Sequence, residues 1–276
     1  MAKVVDKSNA LIPWEEQLAK DAAISAGMEA STGSSLYFSM KSGVLSFNDM
    51  PMPDNQIAVI ILDTILENVF YEGVFNAADP APPVCFAFGR EEADLVPHEV
   101  VFDHDQQRSD TCPSCPKNAW GTANVGKGKA CRNTRRMALL PAGTLIDNRF
   151  KPYTEEDHFI KSAYGVMKLP VTSVKGYGIF VKQITSVHSA PPYGFFTKIK
   201  VVPDAVTQFK VLFEVLGKIP NHIGPIIMQR RKEAAISLDI PYNLDREAER
   251  PSPAYAPPKE SAAVAAKRRK ADNTKY

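Results

Sequence analysis

The sequence predicts a mainly β, α+β chain: an OB-like Greek-key barrel with a long cysteine-rich, metal-binding insertion and a disordered basic C-terminal tail. Three observations predict it. Short β-branched and aromatic runs recur between turn residues on both sides of the middle of the chain. Residues 89–135 carry little regular periodicity, and so long an excursion in a compact domain is functional or held together by something. Beyond Pro241 the composition shifts to Pro251, Pro253, Pro257 and Pro258, an Ala-rich stretch and then Lys267-Arg-Arg-Lys270.

Taken in order, residues 1–35 read as a leader, with a helix over Trp14–Met28 that starts beside Pro13 and ends in Gly27 and a Ser/Thr/Gly run. Leu36–Met40 and Val44–Phe47 read as a hairpin around Lys41-Ser-Gly43. Ile57–Phe70 is apolar and rich in β-branched residues, which favours one long bent strand, although its length also permits a helix. Tyr71–Phe75 continues the β pattern, Asp79–Pro83 breaks it, and Val84–Phe88 is a further short strand. The long excursion follows, and Arg136–Leu140 returns to a strand. In the second half Val166–Leu169, Gly178–Ile184 and Gly194–Val202 carry β signals, with a helix open as the alternative for Gly178–Ile184. Thr207–Val215 reads as helix or strand, and Pro225–Leu238 as helix. The expected units are the leader at 1–35, a nucleic-acid-binding domain at 36–240 with the insertion at 85–135, and the tail at 241–276.

All four cysteines fall inside that insertion. Cys112-Pro-Ser-Cys115 is a two-residue knuckle that turns both sulfurs toward one point. Cys131 follows after fifteen residues, and Cys85 precedes the knuckle by twenty-six. Zn²⁺ takes four tetrahedral ligands and thiolates suit it. The expected set is Cys85, Cys112, Cys115 and Cys131, with His98 and His104 as competitors for the fourth place; zinc is favoured over an iron–sulfur cluster. A disulfide framework fits poorly, because the cysteines are few for the length and no secretory signal precedes them. Pro113 and Pro116 give the knuckle the character of a turn, not of a catalytic helix start.

Charge is segregated. The net charge is only +2 over 276 residues, but Phe88–Asp110 holds seven acids, and Cys112–Ile146 holds Lys117, Lys127, Lys129, Arg132, Arg135 and Arg136 with no acid at all. Such asymmetry points to a polyanion partner. Single strands are bound by a cationic groove with aromatic faces on which bases stack. Trp120 lies within the basic loop, either stacking on a base or packing over a metal cluster. Gly126-Lys-Gly-Lys129 lets a backbone approach phosphates, although it lacks P-loop spacing. Tyr177 and Tyr193, each beside a glycine, are the further stacking candidates. The histidines are scattered and no catalytic constellation stands out, so a non-enzymatic binder is expected. The alternatives are a metal-dependent nuclease, or an interaction protein whose metal only staples a loop. No apolar run reaches the length of a membrane helix and no signal-peptide core opens the chain, so the expected location is the cytoplasm.

The middle of the chain also resembles a group of tailed-phage proteins associated with DNA replication and recombination. The residues are Asn68, Tyr71-Glu-Gly73, Pro83–Phe88, Cys112–Gly121 and Gly126–Cys131, and the similarity spans roughly 36–215. More distantly the layout is similar to phage single-stranded DNA-binding proteins, whose OB folds carry a zinc insertion. The resemblance implies binding of single-stranded DNA, contact with replication or recombination proteins, and action in the cytoplasm of a host cell. The basic ending at Lys267–Lys270 departs from the acidic tail of many such binders, which implies a tail that itself meets nucleic acid.

Overall fold

The computed structural model describes residues 36–73, 81–103, 109–124, 126–147 and 149–244, with scattered positions between 14 and 25 that are all helical. The basic tail and His104 lie outside the described residues, as does most of the leader.

The strands are β1 (Tyr37–Ser39), β2 (Ser46–Phe47), β3 (Met50–Pro51), β4 (Gln56–Phe70), β5 (Cys85–Gly89), β6 (Arg132–Ile146), β7 (Arg149–Pro152), β8 (Gly165–Leu169), β9 (Phe195–Asp204) and β10 (Gln208–Lys218). The helices are α1 (Glu99–Asp103), α2 (Glu156–Lys161), α3 (Val171–His188) and α4 (Gly224–Leu238). All ten strands belong to one open sheet of order β10-β9-β4-β6-β8-β1-β2-β3. β5 continues the β9 edge of β4, and β7 continues the β8 edge of β6. Only β1 and β8 run parallel.

The expected OB-like barrel is therefore corrected to a mixed α+β sheet that does not close. The sheet does curl. The short turns at Lys41–Gly43 and Pro53–Asn55 come back to touch β9, and the first also meets β10, Gly43 lying against Phe209. No ladder joins the two ends among the described residues. One physical reason is the middle of β10, whose outer edge is already occupied. The Val211 N–H donates to Ser173 Oγ of α3 at 3.0 Å.

β4 and β6, each fifteen residues long, form the spine. Two register shifts, near Ala58/Val59 and Ile61/Asp63, bend the pair. The first sits beside Gly143, where a Cβ would lie 2.5 Å from the Lys151 carbonyl, so only glycine lets β7 pass so close. One sheet face packs Val59, Ile61, Met137, Leu139 and Met167 against Tyr177, Phe180 and Ile184 of α3. The other packs Ile60, Leu62, Leu140 and Phe196 against Ile227, Ala234 and Leu238 of α4. Burial on both faces explains why Ile57–Leu62 of β4 reads as an unbroken apolar run. Truncating one of these large side chains to Ala costs about 2–5 kcal/mol.

Three expectations change with the structure. Gly178–Ile184 is helical, within α3. Its buried residues Ser173, Tyr177, Phe180 and Ile184 recur at three- and four-residue steps, and that burial outweighs the β preference of its valines and isoleucines. Tyr71 does not extend β4, which ends at Phe70, and residues 74–80 lie outside the described residues. Tyr242 and Leu244, beyond the expected boundary at 240, also pack onto the sheet. Ser189, left-handed at φ 50°, closes α3.

Candidate metal centre and nucleic-acid face

The cysteine window is hung from one end of the β4–β6 spine. Cys85 opens β5 directly opposite Phe70, and Cys131 immediately precedes β6, whose Arg132 pairs with Val69. The knuckle is tied to the same place by its backbone. The Cys112 N–H donates to Leu95 O at 2.9 Å, and the Cys131 N–H donates to Lys117 O at 2.8 Å. The buried Asn118 amide donates to Cys112 O at 2.9 Å, closing the turn. Strands thus supply two cysteines and a hydrogen-bonded turn supplies the other two.

All four line one cavity of about 20 Å³, together with Asn68, Phe70 and Ala87. No disulfide joins them. Cys112 and Cys131 are buried and Cys85 and Cys115 half-buried. Their closeness shows in their acidity. The Cys131 thiol is pushed up to about 12, first by burial and then by Cys112, Cys85 and Cys115, with Lys129 pulling the other way. Burial raises Cys112 also, and Asn68 opposes that. Asn68 Nδ2 is buried, makes no hydrogen bond of ordinary geometry and lies beside the Cys112 sulfur. Among the described residues no three His, Cys, Asp or Glu side chains stand together as a metal-holding set. What the structure shows is four thiols that line one small cavity without being drawn together as a ligand set, with a buried amide beside them. That donor chemistry fits a thiophilic cation such as Zn²⁺. Of the competitors for the fourth place, His98 stacks on Phe86 at 5.0 Å and accepts from the Val100 N–H through Nδ1, and it does not line the cavity.

The basic loop is a compact turn structure with its aromatic residue outside. Gly121 and Gly126 have φ of 83° and 79°, and the Gly121 N–H donates to Gly128 O at 2.9 Å. Thr122 Oγ1 donates to Ala119 O at 2.7 Å and accepts from the Ala130 N–H at 3.0 Å. Trp120 is 78% exposed and does not line the cysteine cavity. Lys129 Nζ stands 5.7 Å over the Trp120 ring and donates to Asn118 Oδ1 at 3.2 Å. Lys117 lies 5.4 Å over the Phe70 ring, and both Lys117 and Lys127 are exposed.

The remaining candidates separate. Arg132 is exposed and lies 5.6 Å over Tyr71. Arg135 is half-buried, with its Nε buried and unpartnered. Arg136 is committed inside the protein: its Nε donates to Glu67 at 2.8 Å, and one terminal nitrogen donates to Leu238 O and Ile240 O beyond the end of α4. Tyr177 is a core residue, 5% exposed, packed on Phe213 at 5.1 Å, and burial pushes its hydroxyl up to about 12. Its ring is not available to a base. Tyr193 is half-buried under Arg231 at 4.7 Å.

Sequence reading missed the cluster on the opposite sheet face. Glu67, fully buried, takes Arg136 and Lys168 at 2.8 and 3.2 Å, Thr134 Oγ1 at 2.7 Å and the Tyr242 hydroxyl. Burial alone would raise its carboxyl, but Lys168, Arg136 and the two hydroxyls together hold it below the ordinary range. The available signal was a carboxylate placed within an apolar strand, since a charge there needs partners. Asp63 is a second such case, paired bidentately with Arg90 at 2.6 and 3.0 Å. No helix among the described residues is long and apolar enough to cross a membrane. Comparison with family models, curated proteins and solved structures finds no match.

Proposed function

We propose that this chain is a non-enzymatic single-stranded DNA-binding protein whose cysteine window, organised by Zn²⁺ on Cys85, Cys112, Cys115 and Cys131, presents a cationic aromatic loop to the strand. The observation that carries the reading is Trp120. A tryptophan 78% exposed, with a lysine over its ring, on a segment free of acids, is a base-stacking platform with charge beside it. A purely structural staple would turn that ring inward over the thiols. The zinc would supply no chemistry beyond fixing the loop, so no open coordination position is required.

The nuclease alternative gains nothing from the buried carboxylates. Glu67 and Asp63 are both neutralised by arginine or lysine side chains, so neither offers a metal ion a spare oxygen pair. The resemblance of the middle of the chain supports a place in phage DNA replication or recombination, in the cytoplasm of the host, alongside other proteins of those processes.

Tryptophan fluorescence tests the reading. In a Trp14→Phe background, oligo(dT) should quench Trp120, more strongly than duplex of equal length, without magnesium and without strand cleavage. Absence of quenching at low salt, or a clear preference for duplex, overturns it.

A further inference from the structure

We propose that Arg132, Lys168, Tyr71 and Tyr242 form a phosphodiester site on the sheet face opposite the cysteines, so that a bound strand wraps around the end of the β4–β6 spine. The proposal rests on the single-strand reading above and extends it to residues outside the loop.

Register places the cations. β6 alternates, so Arg132, Thr134 and Arg136 share one face. Lys168 of β8 is directly opposite Arg136, and Glu67 of β4 is directly opposite Thr134. Like charges opposed across a ladder are unfavourable; here Arg136 and Lys168 share one buried carboxylate, and Arg132 stands on the same face without one. Arg136 is used up by Glu67 and two carbonyls. The other two are not. Arg132 is exposed and makes no ion pair or side-chain hydrogen bond among the described residues; its contact is the Tyr71 ring. Lys168 keeps 40% of its side chain exposed while it touches Glu67 and the Tyr242 hydroxyl and lies 4.9 Å over that ring. Three cations against the one Glu67 carboxylate, which Arg136 and Lys168 share, leave a positive surplus beside two half-buried tyrosine rings. A phosphodiester with its base against a ring matches that surplus in sign and in shape.

Continuity gives the direction. Lys117 sits over Phe70 and Arg132 over the next residue, Tyr71. The two cation–ring pairs flank the end of β4, one leading to Trp120 and the other to Lys168.

The test is the salt dependence of oligo(dT) binding to metal-replete Lys168→Met and Arg132→Gln. Each variant should lower the slope of log K against log salt by about 0.7, while Trp120 quenching at saturation stays at the wild-type level. Slopes unchanged in both variants, with quenching intact, overturn the inference and leave the loop reading standing. No quenching in the wild type sinks the loop reading itself. Arg132 makes no ion pair or side-chain hydrogen bond among the described residues, so Arg132→Gln decides if Lys168→Met fails to fold. Inorganic phosphate separates a polymer site from a free-anion site. If phosphate raises the wild-type melting temperature over chloride at matched ionic strength while both slopes stay unchanged, the strand path is overturned.

Discussion

Asn68 and Asn133 stand directly opposite each other across the β4–β6 ladder, and the Asn133 amide donates to Asn68 Oδ1 at 2.5 Å. That bond decides which end of the Asn68 amide is turned to the cysteines: the nitrogen, beside Cys112. A donor aimed at a thiolate is what an outer partner of a metal ligand looks like. Asn68→Ala should therefore weaken zinc binding about 10- to 100-fold, as read by competition with a chromophoric chelator. An unchanged affinity would show that the amide serves only the ladder.

The four thiols should hold one zinc per chain. Cys112→Ser should lose it by elemental analysis, and residues 90–131 should then become sensitive to protease, because the knuckle is otherwise held by a few hydrogen bonds and the small contact of Cys112 with Ala87 and Leu95. His98→Ala should keep its metal, since that ring packs on Phe86 away from the cavity. Full retention of metal in the cysteine variant would remove the site.

Stacking and charge should separate cleanly in the loop. Trp120→Ala should cost about 1–3 kcal/mol of single-strand affinity and leave the salt slope unchanged. Lys127→Ala with Lys129→Ala should lower the slope by about 1.4 if both reach phosphates. Filter binding across a salt series gives both numbers. A Trp120→Ala protein that binds normally would return the ring to a packing role.

Glu67 should make the protein acid-sensitive. Its carboxyl is held below the ordinary range by Lys168, Arg136 and two hydroxyls, against burial. The stabilisation is present above the unfolded carboxyl value of about 4.3 and is lost as pH falls through the lower folded value. Glu67→Gln should cost about 3–5 kcal/mol at neutral pH, because it strands the largely buried Arg136 and removes the ion-pair partner of Lys168. Denaturant melts should show the difference from wild type shrinking as the pH drops below about 4.3. A constant difference across that range would mean the charge is not what matters.

Much of the spine was legible because it obeys simple patterns. Ile57–Leu62 of β4 reads as a continuous apolar run, β9 begins where Gly194 allows, and the cysteine spacing alone brings attention to one cavity. What was not legible depends on long-range pairing. Tyr177 adjoins a glycine with a polar tip, which suggests a surface ring; only the packing of α3 on β10 shows it to be core. Arg136 belongs by sequence to the basic loop, yet strand alternation and its bond to Glu67 send it inside. That the sheet stays open could not be read either, since it turns on what lies along one edge of β10. Glu67 needed partners from β6, β8 and the segment after α4, 67 to 175 residues away.

The Ser173–Val211 bond has a consequence for crowding. An open strand edge is an invitation to any other strand, whether from a neighbour or from an unfolding chain. Here the start of α3 is laid along that edge and takes its N–H group at the middle of β10. Under the proposed single-strand reading, copies lined up side by side on a long polymer would meet at high local concentration, where edge-to-edge joining would turn an orderly array into an insoluble one. Occupying the edge from within the same chain lets molecules be neighbours without becoming one sheet.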